Sequence, residues 1–324
     1  MKLTVVLAVL IGTLIVACST VAPAPVEPTP NIFATVEAKL AQERAVEATL
    51  EARLKDKTSY QPTAQVQQNT TTSPTTTPRP TPTTSSDSYF DKGMEYYDAE
   101  NWSMAIEQFT LAIRLNSQLE DAFYYRGAAY YELSHYQTAI NDFNKALQLD
   151  PDDAINYYAR GNAYDNLGQY QNAITDYTKA LQLDPEYADA YNNRGAAYGN
   201  LSQYQNAITD NSKAIELAPD DADAYNNRGA AYYKLGQYQN VITNNSKAIE
   251  LFPDDALAYN NRGAAYYKLG KYQNAITDYS KAIQLDPDYA DAYNNRGAAY
   301  NNLGQYSLAN ADETKACSLN SQFC

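Results

Sequence analysis

Few residues in this sequence could carry out covalent chemistry. There is one histidine, His135, and there are three cysteines, Cys18, Cys317 and Cys324. His135 falls in a turn between helical stretches, so the usual general base is nearly absent, and no Ser or Cys stands in a nucleophile motif. The cluster Asp150-Pro151-Asp152-Asp153 and its later counterparts lack the ligand pattern of a calcium loop and read as turns and helix caps. The sequence therefore predicts a non-enzyme with no cofactor and no metal. What remains is hydrogen-bond chemistry. Asn192, Asn226, Asn260 and Asn294 recur every 34 residues. Their amides can both donate and accept, as holding an extended peptide backbone requires. Tyr97, Tyr131, Tyr233 and Tyr267 recur at a second place, with Lys234 and Lys268 next to the last two. Tyrosine rings add rigid contact area at little entropic cost. An equal reading is that the asparagines fill a solvated helix face after repeat duplication.

The elements that position these residues follow from the same period. A glycine recurs at 93, 127, 161, 195, 229, 263 and 297 without slippage. This defines seven units, 86–119, 120–153, 154–187, 188–221, 222–255, 256–289 and 290–323. One unit reads ADAYNNRGAAYYKLGQYQNAITDYSKAIQLDPDY. It predicts a first helix, a Gly/Ser-Gln-Tyr turn and a second helix. Pro151, Pro185, Pro219, Pro253 and Pro287 stop the second helix, and the following Asp can cap the next one. The eighth-place glycine and a small residue at the twentieth place (Ala105, Ala139, Ala173, Ala207, Ala275) let the helices approach. Aromatics at the fourth, eleventh and twenty-fourth places fill the space between them. Asn211 and Asn245 replace that last aromatic in two successive units, and Val241 replaces the small residue, which should loosen the middle of the stack. Arg126, Arg160, Arg194, Arg228, Arg262 and Arg296 are expected to lay their stems on the core and pair with acids such as Asp142, Asp176 and Asp210. The last unit turns polar in its second helix, with Asn310 and Glu313 where Ile and Tyr are expected, and reads as a cap.

This set of residues resembles the tetratricopeptide repeat over 86–323. The resemblance implies an all-α fold, an α-solenoid forming a right-handed superhelix of seven helix-turn-helix units. It implies a concave groove lined by the second, fifth, ninth, twelfth and thirteenth places. The asparagine ladder is similar to the arrays by which other helical-repeat proteins hold a peptide. Ala at the ninth place argues against recognition of an acidic C-terminal tail.

The N-terminal part differs in texture. Lys2 precedes an apolar run from Leu3 to Ala17, too short for an ordinary membrane span and shaped like a secretory signal. The run ends Leu14-Ile15-Val16-Ala17-Cys18, which resembles the lipobox of bacterial lipoproteins. That resemblance implies cleavage after residue 17, acylation of Cys18 and anchoring in a bilayer. Ser19 resembles an outer-membrane address in double-membraned bacteria. A Pro-rich tether follows over 18–30. Residues 31–57 predict an amphipathic helix with Ile32, Phe33, Val36, Leu40, Val46, Leu50 and Leu54 on one face. It is either a solvated stalk helix or a short coiled coil that makes the chain a homo-oligomer. Residues 58–85 are a Thr/Pro-rich linker that cannot bury enough apolar surface to fold. In an extracytoplasmic setting Cys317 and Cys324 are expected to form a disulfide.

Charge narrows the partners. Residues 1–85 carry seven Lys/Arg against six Asp/Glu, leaving 17 against 32 in the rest of the chain. A body this acidic repels a phosphate backbone and anionic headgroups, so no nucleic-acid partner is expected. The sequence thus points to a lipid-anchored extracytoplasmic scaffold binding a protein or peptide in its groove. The alternative is a self-associating surface spacer.

Overall fold

The structure, a computed structural model, describes residues 85–324. The expected signal peptide, Cys18, the tether, the 31–57 helix and nearly all of the linker lie outside the described residues. Ser85, placed in the linker, serves as the N-cap of the first helix, its side chain accepting from the Ser88 N–H.

The described chain is all-helical and runs as seven helix pairs. They are α1 (Ser86–Asp98) and α2 (Trp102–Leu115), α3 (Glu120–Glu132) and α4 (Tyr136–Leu149), α5 (Ala154–Asn166) and α6 (Tyr170–Leu183). Then come α7 (Ala188–Asn200) and α8 (Tyr204–Leu217), α9 (Ala222–Lys234) and α10 (Tyr238–Leu251), α11 (Ala256–Lys268) and α12 (Tyr272–Leu285), α13 (Ala290–Asn302) and α14 (Tyr306–Leu319). A short 3-10 turn, Ser321–Phe323, ends the chain.

The turn inside each pair is a Schellman closure. In the third pair the Gly168 N–H donates to Asp165 O and the Gln169 N–H to Tyr164 O, at 2.8 and 2.9 Å. The motif needs a left-handed residue, supplied by Gly168, Gly236, Gly270 and Gly304, and by Glu100, Ser134 and Ser202 in the other three pairs. The five second helices followed by a proline each end with one residue left before it. Capping by Asp is selective. Asp153, Asp221 and Asp255, each the second residue after its proline, cap α5, α9 and α11. Tyr187 and Tyr289 stand at that place before α7 and α13 and give no side-chain cap.

Packing follows the repeat. Each eighth-place glycine faces the twenty-fourth-place side chain of its own unit. A Cβ built on Gly161 or Gly263 would lie 2.7 or 2.8 Å from the ring of Tyr177 or Tyr279. Only glycine admits the ring at that distance. The tenth-place alanine of each following unit then covers the same spot. Ala197 packs with Ala173, Ile174 and Tyr177, and Ala299 with Ala275, Ile276 and Tyr279.

The seventh-place arginines join neighbouring units. Arg160 holds Asp176 of its own unit through two bonds of 2.7 Å and donates to Asn144 Oδ1 of the preceding unit. Its guanidinium also lies over the Tyr157 ring, 5.4 Å from the centroid. The same fork recurs at Arg126, Arg194, Arg262 and Arg296. In the fifth unit Asn244 stands where the other five arginine-bearing units have Asp, and Arg228 makes one bond to it.

First helices also touch one another across units, most extensively α7 with α9, whereas no two second helices meet to a comparable extent. The first helices therefore converge and line the inner side of the stack.

At the C-terminal end Cys317 and Cys324 are joined by a disulfide that folds the last residues back on α14. Asn310 and Glu313 are exposed there.

Candidate binding groove

Helix rotation decides which polar residues reach the inner face. The fifth-place asparagines turn out to be largely consumed between helices. Asn192, Asn226 and Asn260 are buried, and Asn294 is half-buried. Asn192 Oδ1 accepts from Asn227 Nδ2 at 2.8 Å, and Asn260 Oδ1 accepts from Asn295 Nδ2 at 3.1 Å. Asn226 Nδ2 donates to Asp255 Oδ2 at 2.6 Å. The first two contacts cross from one unit to the next, and Asp255 is the N-cap of α11, so the ladder ties neighbouring first helices together. Of the four, Asn260 also lines an open cleft.

The sixth-place asparagines are more accessible and were missed by the sequence reading. Asn193, Asn227, Asn261 and Asn295 all line clefts on the inner face. Their signal was present as a second asparagine beside the first in four consecutive units. Period alone does not say which of two adjacent residues points inward.

Three clefts follow one another along this face. One, of about 310 Å³, lies over the third unit and is lined by Tyr131, Tyr158, Asn162, Asp165, Asn166, Tyr177, Asn193 and Ala196. Its floor includes the hydroxyl end of Tyr177, which donates to Asn162 Oδ1 at 2.7 Å. Burial pushes that hydroxyl far above the ordinary phenol range, so it stays a donor. The second cleft, about 320 Å³, lies between α7 and α9 and reaches down to Gly195, Ala207 and Ala231. The third, about 440 Å³, is reached past Tyr233 and Lys234 and goes down to Gly229 and Val241. Ala230 and Lys234 belong to both of the last two.

The remaining expected groove residues are placed as follows. Tyr131 and Tyr267 are half-buried, and their hydroxyls accept from Asn166 and Asn302 at 2.8 and 3.0 Å. Tyr131, Tyr233 and Tyr267 each pack edge-on against the first tyrosine of their own second helix. Lys234 and Lys268 are exposed at the ends of their helices. The thirteenth place runs from Asp98 and Glu132 through Asn166 and Asn200 to these lysines, so the face changes sign along its length. Among the described residues no group of three or more His, Cys, Asp or Glu could hold a metal ion. The groove offers amides, phenols, two ammonium groups and small-walled clefts.

Comparison with known proteins agrees with this architecture. Profiles described as "Tetratricopeptide repeat" match residues 120–153, 188–221 and 222–255, residues 143–175 and 246–277, and residues 290–323. A "TPR repeat" profile matches 161–202 and 265–304. Together these run without a break from 120 to 323. No curated protein matches. Among solved structures, a tetratricopeptide repeat protein from Parabacteroides merdae is 24% identical, with a TM-score of 0.60 over 72% of this chain and 93% of its own. The C-terminal part of a TPR repeat-containing protein from Cytophaga hutchinsonii is 22% identical, with a TM-score of 0.57 over 72% and 95%. Pseudomonas aeruginosa pilF is 20% identical, with a TM-score of 0.56 over 62% and 92%. At these identities the likeness concerns the fold. With seven helix pairs in register and the family's profiles covering six of them, the chain belongs to the tetratricopeptide repeat family.

Proposed function

We propose that this protein is a lipid-anchored extracytoplasmic scaffold that binds a peptide or partner protein on the inner face of its solenoid. The observation that carries the reading is the run of clefts on that face, lined by amides, phenols, small residues and Lys234. The lipobox resemblance at Cys18 supplies the anchor, and the Thr/Pro-rich linker would hold the body away from the lipid. No catalytic role is assigned to any residue.

The ends of the solenoid favour this reading over a self-stacking spacer. At inner junctions the tenth place is a fully buried alanine, such as Ala197 or Ala299, set against an Ile at the twenty-first place of the preceding unit. At the free ends the matching places are Glu95, and Asn310 with Glu313, all exposed. Stacking one chain on the next in register would bury two carboxylates against each other, at a cost no pairing offsets.

Two experiments test the reading. Labelling with a palmitate analogue should mark the protein and leave Cys18→Ser unmarked; equal labelling of both removes the anchor. Capture from envelope extract should recover a partner with the wild-type chain and lose it when Tyr233, Lys234, Tyr267 and Lys268 are changed to Ala. Equal recovery places binding elsewhere. Recovery of nothing but the chain itself, with sedimentation showing self-association that depends on 31–57, supports the spacer.

A further inference from the structure

The third unit departs from the other six at two places on the inner face. Its ninth residue is Asn162, where the others carry Ala or, in the first, Met94. Its twelfth is Asp165, the one acid at that place in the seven units. Tyr97, Tyr131, Tyr233 and Tyr267 stand there in four of the others, and Gly199 and Asn301 in the remaining two. Asn162 and Asp165 both line the cleft over this unit, beside Tyr131, Tyr158 and Tyr177. The groups converge on one space. Burial first, then the charge of Asp165 and the phenols of Tyr158 and Tyr131, push the Tyr177 hydroxyl up.

A second observation points to a ligand. Asp165 Oδ1 is buried and has no hydrogen-bond partner. The Oδ1 atoms of Asn156, Asn211, Asn226 and Asn245 share that state, but none of those residues lines one of the three clefts and none carries a charge. The donors around Asp165 are spent elsewhere. Asn166 Nδ2 donates to the Tyr131 hydroxyl and to Asn162 O, at 2.8 and 3.0 Å. Asn193 Nδ2 donates to the Tyr158 hydroxyl and to Asn162 Oδ1, at 3.0 and 2.9 Å. The Tyr177 hydroxyl also goes to Asn162 Oδ1. No Lys, Arg or His lines the cleft. Burial raises the Asp165 pKa, as it does for a carboxylate that has lost water and gained no partner. What such a group lacks is a cation that also donates hydrogen bonds. The wider face agrees in sign. Asp98 and Glu132, exposed at the thirteenth place of the first two units, carry negative charge toward the N-terminal end, while Lys234 and Lys268 stand toward the other.

Resting on the reading of the inner face as a binding groove, we infer that the third-unit cleft is a socket for a positively charged side chain, lysine or arginine, of the bound partner segment. Its ammonium or guanidinium group pairs with Asp165 and lies against the tyrosine rings, whose faces attract cations. A cleft of about 310 Å³ has room for the end of such a side chain. The pair forms partly out of water, where a charge pair is stronger than on an open surface. The change of sign along the face extends the inference. Acidic residues of the same segment belong over Lys234 and Lys268, so the segment keeps its basic and acidic residues apart.

The test is selection of a displayed library of random dodecapeptides on the full chain, followed by affinity measurement on the wild type and on D165N, which removes the charge and keeps the shape. Enriched peptides are expected to share a lysine or arginine. Replacing that residue by methionine should weaken binding to the wild type by at least about tenfold, as when one partner of a desolvated charge pair is lost. The same replacement should change binding to D165N little, because the carboxylate is already gone. If D165N does not fold, as judged by its thermal melt, D165Y, which restores the residue found in four other units, takes its place. Peptides with no shared basic residue, or an equal loss on both proteins when that residue is replaced, would overturn the socket and leave the groove reading standing. Peptides that bind equally to the wild type, to D165N and to the variant with Ala at Tyr233, Lys234, Tyr267 and Lys268, or no enrichment at all, would overturn both.

Discussion

The third and sixth units and the fourth and fifth share a backbone plan and differ inside it. In the first two a tyrosine at the twenty-fourth place fills the gap between helices, and a carboxylate at the twenty-third holds the arginine fork. In the other two an asparagine leaves the gap part-empty, and in the fifth unit Asn244 removes the carboxylate as well. Both kinds keep the same helix bounds relative to the repeat. The backbone is thus specified by the eighth-place glycines, the tenth-place alanines, the turns and the prolines, which these four units share. The ring governs how deep the groove is. That one side chain decides whether the cleft above it is floored by a phenol or runs down to the glycine.

The largest effect should come from erasing the difference in the filled units. Tyr177→Ala or Tyr279→Ala is expected to cost about 3–5 kcal/mol, the usual range for a buried aromatic. Asn211→Ala, in a unit already without its ring, should cost about 1 kcal/mol or less, since its unpaired carbonyl is removed with it. Urea denaturation of the three variants checks this, and equal losses would break the comparison. Next is the fork. Asp176→Asn removes a buried ionic partner and should cost about 1–3 kcal/mol. Asn244→Asp should restore part of that in the fifth unit. Local opening sharpens the contrast without mutation. Amide hydrogens of α7 to α10 should exchange fastest among the inner units, and uniform protection would contradict this.

The smallest effect lies at the junction of the second and third units. Glu120 is desolvated, which raises its pKa to about 7, although Asn156 donates to it and partly opposes the rise. Between about pH 5 and 7 the folded chain keeps a proton that the unfolded chain has lost. Stability should therefore fall as pH rises through that window. Glu120→Gln should flatten this part of the dependence of the melting temperature on pH.

Much of this was legible in the sequence because each constraint occupies one place in a fixed period. The eighth-place glycine, the arginine with its acid sixteen residues on, and the prolines needed only the period to be read. The change at Asn211 and Asn245 was visible too, as a loss of packing. Its consequence for the groove was not, because it depends on the direction in which Tyr177 projects from the second helix. The fifth-place asparagines mark the limit more plainly. Asn192 and Asn227 differ by one place within their units, yet one is buried and the other lines a cleft. A helix turns about 100° per residue, so the exact rotation of the first helices decides between them. Asp caps were legible as a class but not individually, since Tyr187 and Tyr289 occupy two of the capping places.

Site-specific photocrosslinking in the living cell tests the central claim most directly. A photoreactive residue would be placed at Tyr233 or Tyr267 on the inner face, and at Gln171 or Lys179 on the second helix of the third unit. The account predicts a discrete adduct with another protein from the inner positions and none from the outer pair. Adducts only from Gln171 and Lys179, or only between copies of this chain, would contradict it.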